Sequence, residues 1–336
     1  MIGEAGEERP IVLTMGEPAG IGCEIALKAW RAGHLNPFVL IDDPDHVAGL
    51  AADLGIDVPL QVISDTNDTA KVYPNALPIL QQNLPKEARP GHPDPQNAPA
   101  VLAAIEWAVD LVQKGQAAAM VTNPVHKHCL VEAGFRHLGH TGFLGELAGD
   151  GSRPVMMLAS DDLRVVPVTI HVGLRQAVAD LRREDIVASA RIVDAALRRD
   201  FAVEKPRLAI AGLNPHAGED GVLGDEERNI IAPAVADMLD AGIDAFGPVA
   251  ADTLFHAEAR QRYDAALCMY HDQALIPIKT IAFDRAVNVT LGLPFVRTSP
   301  DHGTALDIAG QGVASANSLI AALDMASTMA RRRAAA

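Results

Sequence analysis

Short apolar runs alternate along this chain with longer stretches of helical period, and that alternation leaves few folds open. The runs are PIVLTM (10–15), FVLID (38–42), AAAMVT (117–122), PVMMLAS (154–160), RVVPVTI (164–170), RLAIAGL (207–213), DAALCMY (264–270) and AVNVTLGL (286–293). Helical periodicity covers 22–32, 97–114, 182–199, 225–241 and 315–332. Apolar runs of this length joined by helices are the mark of βα units around a mostly parallel sheet, an α/β protein. At 336 residues the chain exceeds one ordinary core, so one large or two medium α/β domains are expected. Seven prolines between Pro74 and Pro99 read as a surface excursion or linker, since proline breaks regular elements. A second boundary is expected within 124–140, where the apolar signal gives way to histidines and glycines.

Composition excludes several functions. With 28 basic and 43 acidic side chains the formal charge is −15, a field that repels nucleic acid and anionic membranes. An anionic substrate would need a local basic pocket. The mean hydropathy of +0.12 and the absence of a long apolar segment place the chain among soluble globular proteins. Cys23, Cys129 and Cys268 are odd in number and show no CxxC spacing, which suggests reduced thiols in the cytoplasm.

Three apolar runs stop at an imidazole: VVPVTIHV at His171, LAIAGLNPHAG at His216 and AALCMYHDQ at His271. In open parallel sheets ligands bind outside the carboxyl ends of the strands, where separated side chains converge. Three neutral imidazoles there would hold a zinc-like divalent cation and leave positions open for substrate. The alternative is three separately hydrogen-bonded loop histidines, because spacings of this length match no local metal motif. Asp252 and Asp272 could orient the ligands as hydrogen-bond partners or merely cap loops.

Glycine-rich segments flank this pattern. TMGEPAGIGCEIALKA places Gly16, Gly20 and Gly22 between a strand and a helix, yet it contains neither GxGxxG nor a P-loop, so a tight structural turn is the favoured reading. In the last third, Lys279, Asn288 and Arg297 supply two cations and an amide suited to a phosphate. Arg297 and His302, Gly303 and Thr304 are expected in a loop before the final helix. In GHTGF, His140 and Thr141 can donate hydrogen bonds to an oxyanion.

With these residues assembled, the chain resembles the PdxA family of 4-hydroxythreonine-4-phosphate dehydrogenases. GEPAGIG, TNPVHK, GHT, GLNPHAGEDG, GPVAADTLF, MYHDQ, VNVTLGLPFVRTS and DHGTALDIAG follow that family's order nearly end to end. The resemblance implies a two-domain α/β fold with mostly parallel sheets, like isocitrate and isopropylmalate dehydrogenases, and an active-site cleft between the domains. It suggests a first domain of 1–127 plus 285–336, and a second of 128–284 carrying metal ligands and dimer contacts. It assigns the metal to His171, His216 and His271, and the phosphorylated substrate to His140, Thr141, Lys279, Asn288 and Arg297. It places NAD or NADP at the HGTA loop, His302, Gly303, Thr304 and Ala305, and the cation would be zinc, magnesium, cobalt or manganese. It further implies a homodimer with the active site at the subunit interface and His271 coming from the partner chain.

The implied reaction is oxidation and decarboxylation of a phosphorylated hydroxy amino acid in vitamin B6 synthesis. Gly142 departs from the family, many of whose members carry Glu after GHT, and this leaves room for a sister dehydrogenase acting on 4-phosphoerythronate or a related phosphorylated hydroxy acid. A zinc-dependent aldolase or lyase is the alternative from another class; it has no need of HGTALDIAG.

Overall fold

The computed structural model describes residues 9–34, 36–137, 140–149 and 151–335, with the side chains of His140 and Thr141 outside the described set. Twelve strands are present among them: β1 Ile11–Thr14, β2 Phe38–Asp42, β3 Leu60–Ile63, β4 Leu77–Gln81, β5 Ala119–Thr122, β6 Val155–Ala159, β7 Arg164–Thr169, β8 Arg207–Ala211, β9 Asp244–Val249, β10 Ala265–Tyr270, β11 Val287–Leu291 and β12 Arg297–Pro300. The chain forms two compact units, Met1–Pro154 with Leu293–Arg331 and Val155–Gly292 with Arg332–Ala336.

Unit 1 orders its strands β3-β4-β2-β1-β5-β12, and every ladder is parallel. β1, β2 and β5 are buried along their whole length, which is why they read as continuous apolar runs with no alternation. The helix Ala98–Gln113 turns eight buried side chains, Val101 and Ile105 among them, toward the core cluster that holds Val12, Val39 and Met120.

Unit 2 orders its strands β11-β6-β7-β10-β8-β9. β7, β10, β8 and β9 run parallel, whereas β6 is antiparallel to both β7 and β11. A short connection, Ser160 to Leu163, joins β6 to β7, too short for the crossover that parallel neighbours need. The sheet is therefore mostly parallel, with an antiparallel insertion.

Several expectations change. The proline-rich segment contains β4, four of whose five residues are buried, so it is only partly an excursion. Residues 128–154, expected with the second domain, belong to unit 1, because Phe143 and Leu144 sit in its core. Residues 285–292, expected with the first domain, belong to unit 2, because β11 pairs with β6. No helix among the described residues is long and apolar enough to cross a membrane, and Cys23, Cys129 and Cys268 are free and buried.

Candidate metal and substrate site

The adjacency of β7, β10, β8 and β9 converts distant residues into neighbours. Their carboxyl ends lead into His171, His271, His216 and Asp252, in that spatial order. β10 registers Tyr270 against Thr169 of β7, so His271 and His171 emerge side by side, their ring centroids 6.0 Å apart. They line a pocket of about 230 Å³ with Thr169, Ala177, Tyr270 and Asp272.

Each ring is held. Asp272 Oδ1 lies 2.7 Å from His271 Nδ1, which fixes the imidazole and leaves Nε2 for a ligand. His171 adopts a left-handed φ of 44°, uncommon for a residue with a Cβ. His216 opens a run of left-handed residues, His216 to Asp220, with φ between 43° and 80°. Such conformations persist only where surrounding contacts impose them, and they cluster at functional sites.

What imposes this one is Glu227, which sequence reasoning missed. Its Oε1 accepts from the backbone N–H of Leu213 and of Asn214, both at 2.7 Å, and its Oε2 accepts from Asn214 Nδ2 at 2.9 Å. Burial pushes its carboxyl up, but the hydrogen bonds from Asn214 and Leu213 outweigh burial and hold the group below its ordinary value. Gly218 is small for a reason: a Cβ there would lie 2.6 Å from Glu227 Oε2. Fourteen residues separate Glu227 from Leu213, and no local motif flags it.

Gln273, the amide of MYHDQ, is the second missed residue. Its Oε1 accepts from Met269 N at 2.6 Å and its Nε2 donates to Gly212 O at 2.7 Å. Thr169 Oγ1 donates to Met269 O at 2.7 Å. Together these bonds lock the ends of β7, β10 and β8.

Among the described residues, the three imidazoles of one chain do not bring their donor atoms within 4.8 Å of one another; the clusters that do are Glu17/His126/Cys129 and Cys23/Asp42/His46. The fit to a divalent cation rests on the donor set: imidazoles from three neighbouring strands, one of them carboxylate-oriented, beside a pocket. Asp252 is exposed in the short turn after β9.

The phosphate-type residues lie elsewhere than expected. Lys279 belongs to the helix His271–Ala282, which continues through Pro277; its eight-residue separation from His271 spans about 12 Å of helix axis. That helix was not anticipated because proline masks its pattern. Asn288 lies on β11 opposite Leu158, and its buried Oδ1 has no hydrogen-bond partner. Arg297, expected in a loop, lies on β12, 3% exposed, and donates to Thr122 Oγ1 at 2.6 Å. Burial pulls its guanidinium down to about 10, so it stays charged at neutral pH. His140 and Thr141 open the helix His140–Leu147, and their side chains lie outside the described residues.

The two glycine-rich segments of unit 1 meet. Ile21 N donates to Thr304 O at 3.1 Å, and a Cβ on Gly20 would lie 2.9 Å from that oxygen. Gly16, at φ 72°, packs on Asn123 and Pro124. His302 Nδ1 lies 3.0 Å from Gly303 O, its Nε2 is buried and unpartnered, and Ala305 is left-handed at φ 45°. Because Nδ1 must donate to that carbonyl, Nε2 of the neutral ring is an orphaned acceptor, and beside a close-packed glycine turn it fits a hydroxyl or amide donor of a cofactor.

The family model for the pyridoxal phosphate biosynthetic protein PdxA matches residues 34–326. This chain belongs to the PdxA family. A 4-hydroxythreonine-4-phosphate dehydrogenase of Methylorubrum extorquens (strain PA1) is 54% identical over 98% of this chain and 96% of its own length. Among solved structures, a 4-hydroxythreonine-4-phosphate dehydrogenase from Klebsiella pneumoniae superposes with a TM-score of 0.87 at 36% identity, covering 96% of this chain and 100% of that one. A terephthalate 1,2-cis-dihydrodiol dehydrogenase from Burkholderia xenovorans LB400 has a TM-score of 0.64 at 28% identity, covering 96% and 98%. The α/β fold and the strand-end histidines thus belong to a PdxA chain matched over nearly its full length.

Proposed function

We propose that this chain is an NAD(P)- and divalent-metal-dependent dehydrogenase that oxidises 4-phosphooxy-L-threonine, with loss of CO2, to 3-amino-2-oxopropyl phosphate in pyridoxal 5'-phosphate synthesis. The observation that carries the reading is the placement of His171, His271 and His216 at the carboxyl ends of three neighbouring strands, with Asp272 bonded to the His271 ring. Family membership supports it and sets the aldolase alternative aside.

His171, His216 and His271 would hold the cation, which would supply Lewis acidity toward the substrate's oxygens. A bound nicotinamide would supply the hydride acceptor, and the residues of this chain would orient it against the substrate. Lys279, Asn288 and Arg297 neutralise and grip the phosphate, while His140 and Thr141 fix the substrate's polar end. Asp272 keeps His271 in one tautomer, and Asp252 stands as the other carboxylate able to orient a ligand. His302, Gly303, Thr304 and Ala305 contact the cofactor. Oxidation of the substrate's secondary alcohol would give a β-keto acid, whose loss of CO2 leaves the amino ketone phosphate. The resemblance to the family further implies a homodimeric working unit, with His271 supplied across the interface. We assign the protein to the cytoplasm, a reading that its free, buried thiols support.

A second reading rests on Gly142. A Cβ there would lie 3.5 Å from His137 Nδ1, ordinary contact, so packing does not demand the glycine. Its presence instead of Glu favours a sister substrate lacking the amino group. The test is the rate of NAD(P)H appearance with 4-phosphohydroxythreonine and with 4-phosphoerythronate, with and without chelator. Production of NADH or NADPH from the threonine ester, abolished by chelator, is expected. Faster turnover of the erythronate overturns the substrate, and no reduced cofactor from either overturns the dehydrogenase reading.

A further inference from the structure

Unit 1 contains a second set of metal-type donors that the proposed reaction does not use. Cys23 lies in the first turn of the helix Gly22–Arg31, Asp42 ends β2, and His46 lies in the first turn of the helix Pro44–Asp53. Each offers one ligand atom, and the three atoms lie within 4.8 Å of one another. Cys23 is 2% exposed and Asp42 1% exposed.

The set is poorly satisfied as it stands. His46 Nε2 is buried with no hydrogen-bond partner. Asp42 Oδ1 accepts from Asp43 N at 2.8 Å. Burial pushes the Asp42 carboxyl up to about 8 and the Cys23 thiol up as well, and it pulls His46 down. A thiol, a carboxylic acid and a neutral imidazole thus crowd together where native interiors normally place paired groups.

We propose that Cys23, Asp42 and His46 form a buried zinc-type cation site that ties β2 to the helices on either side of it. One thiolate, one carboxylate and one imidazole are tetrahedral zinc ligands, with a fourth position left for water. Exchange of one divalent cation for the two protons of Cys23 and Asp42 keeps the buried site neutral, which removes the main cost of placing charge there. In a tetrahedral site, donor atoms lie about 3.5 Å apart, so small side-chain adjustments close the present spacing. The three ligands come from three successive elements, and the cation would therefore stabilise the first βαβ segment of the unit.

Cobalt distinguishes this site from the three-histidine centre, because a sulfur ligand alone gives a thiolate-to-metal charge-transfer band in the near ultraviolet. The full chain, stripped with chelator, is titrated with Co2+. A charge-transfer band from one cobalt per chain is expected, lost in Cys23→Ser and retained in Cys129→Ser, Cys268→Ser and His171→Ala. Asp42→Asn, which keeps the thiol, is expected to weaken cobalt binding about tenfold or more, and it serves if Cys23→Ser does not fold. Absence of the band, its loss in Cys129→Ser with survival in Cys23→Ser, or unchanged affinity in Asp42→Asn overturns the site. None of these outcomes depends on the dehydrogenase reading, whose own test follows reduced cofactor.

Discussion

After β1 in unit 1 the chain turns through Gly16 at φ 72°, whereas after β8 in unit 2 it turns through His216, Ala217, Gly218, Glu219 and Asp220, all left-handed. In the first loop, the residue that must be left-handed is glycine, and a Cβ would strike Pro124 O at 2.6 Å. In the second, four residues with a Cβ accept a conformation that costs about 1–2 kcal/mol each. Glycine would relieve that strain at position 216, but it carries no imidazole. Strain tolerated where glycine is available marks a loop kept for its side chains, and Glu227 is what holds it.

Four experiments press on this contrast. The largest effect is expected from His216→Ala, about a thousandfold loss of kcat with little change in melting temperature; if most activity survives, the strained loop does not exist for its imidazole. Gly16→Ala should destabilise unit 1 by about 2–4 kcal/mol in urea, since the blocking atom is backbone, and a neutral result would erase the difference between the loops.

Glu227→Gln should lower stability by about 1–3 kcal/mol at neutral pH and weaken metal binding about 10- to 100-fold. Glu227's carboxyl is held below its ordinary value of 4.5 in the folded state, so its contribution is complete above that unfolded value and is lost as pH falls through the lower folded one. Urea melts of the two proteins should converge toward acid pH; a gap that stays constant or widens there refutes this account. Ala217→Gly is the smallest change: it relieves a left-handed alanine at φ 51°, and stability should rise by about 0.5 kcal/mol. A fall of a kilocalorie or more would show that the loop is unstrained.

Much of this was legible in the chain. The runs ending at His171, His216 and His271 are the strands β7, β8 and β10, and helices fall at the periodic stretches. β4, with Pro78 inside it, and the helix His271–Ala282, with Pro277 inside it, were hidden because proline is read as a breaker when only local pattern is available. Glu227 and Gln273 escaped notice for another reason: their partners are backbone groups at Leu213, Asn214, Met269 and Gly212, and backbone leaves no trace in residue identity.

Residue order alone established the βα alternation, the acidic surface and the strand-end position of the imidazoles, because burial demands apolar runs and a ligand demands its own side chain. Tertiary structure decided which strands are neighbours, placing β10 between β7 and β8 although it follows both in sequence. It also decided that β6 runs antiparallel and that His216 sits in a left-handed turn. Pairing and backbone conformation are set by long-range hydrogen bonds and packing, which adjacent residues do not encode.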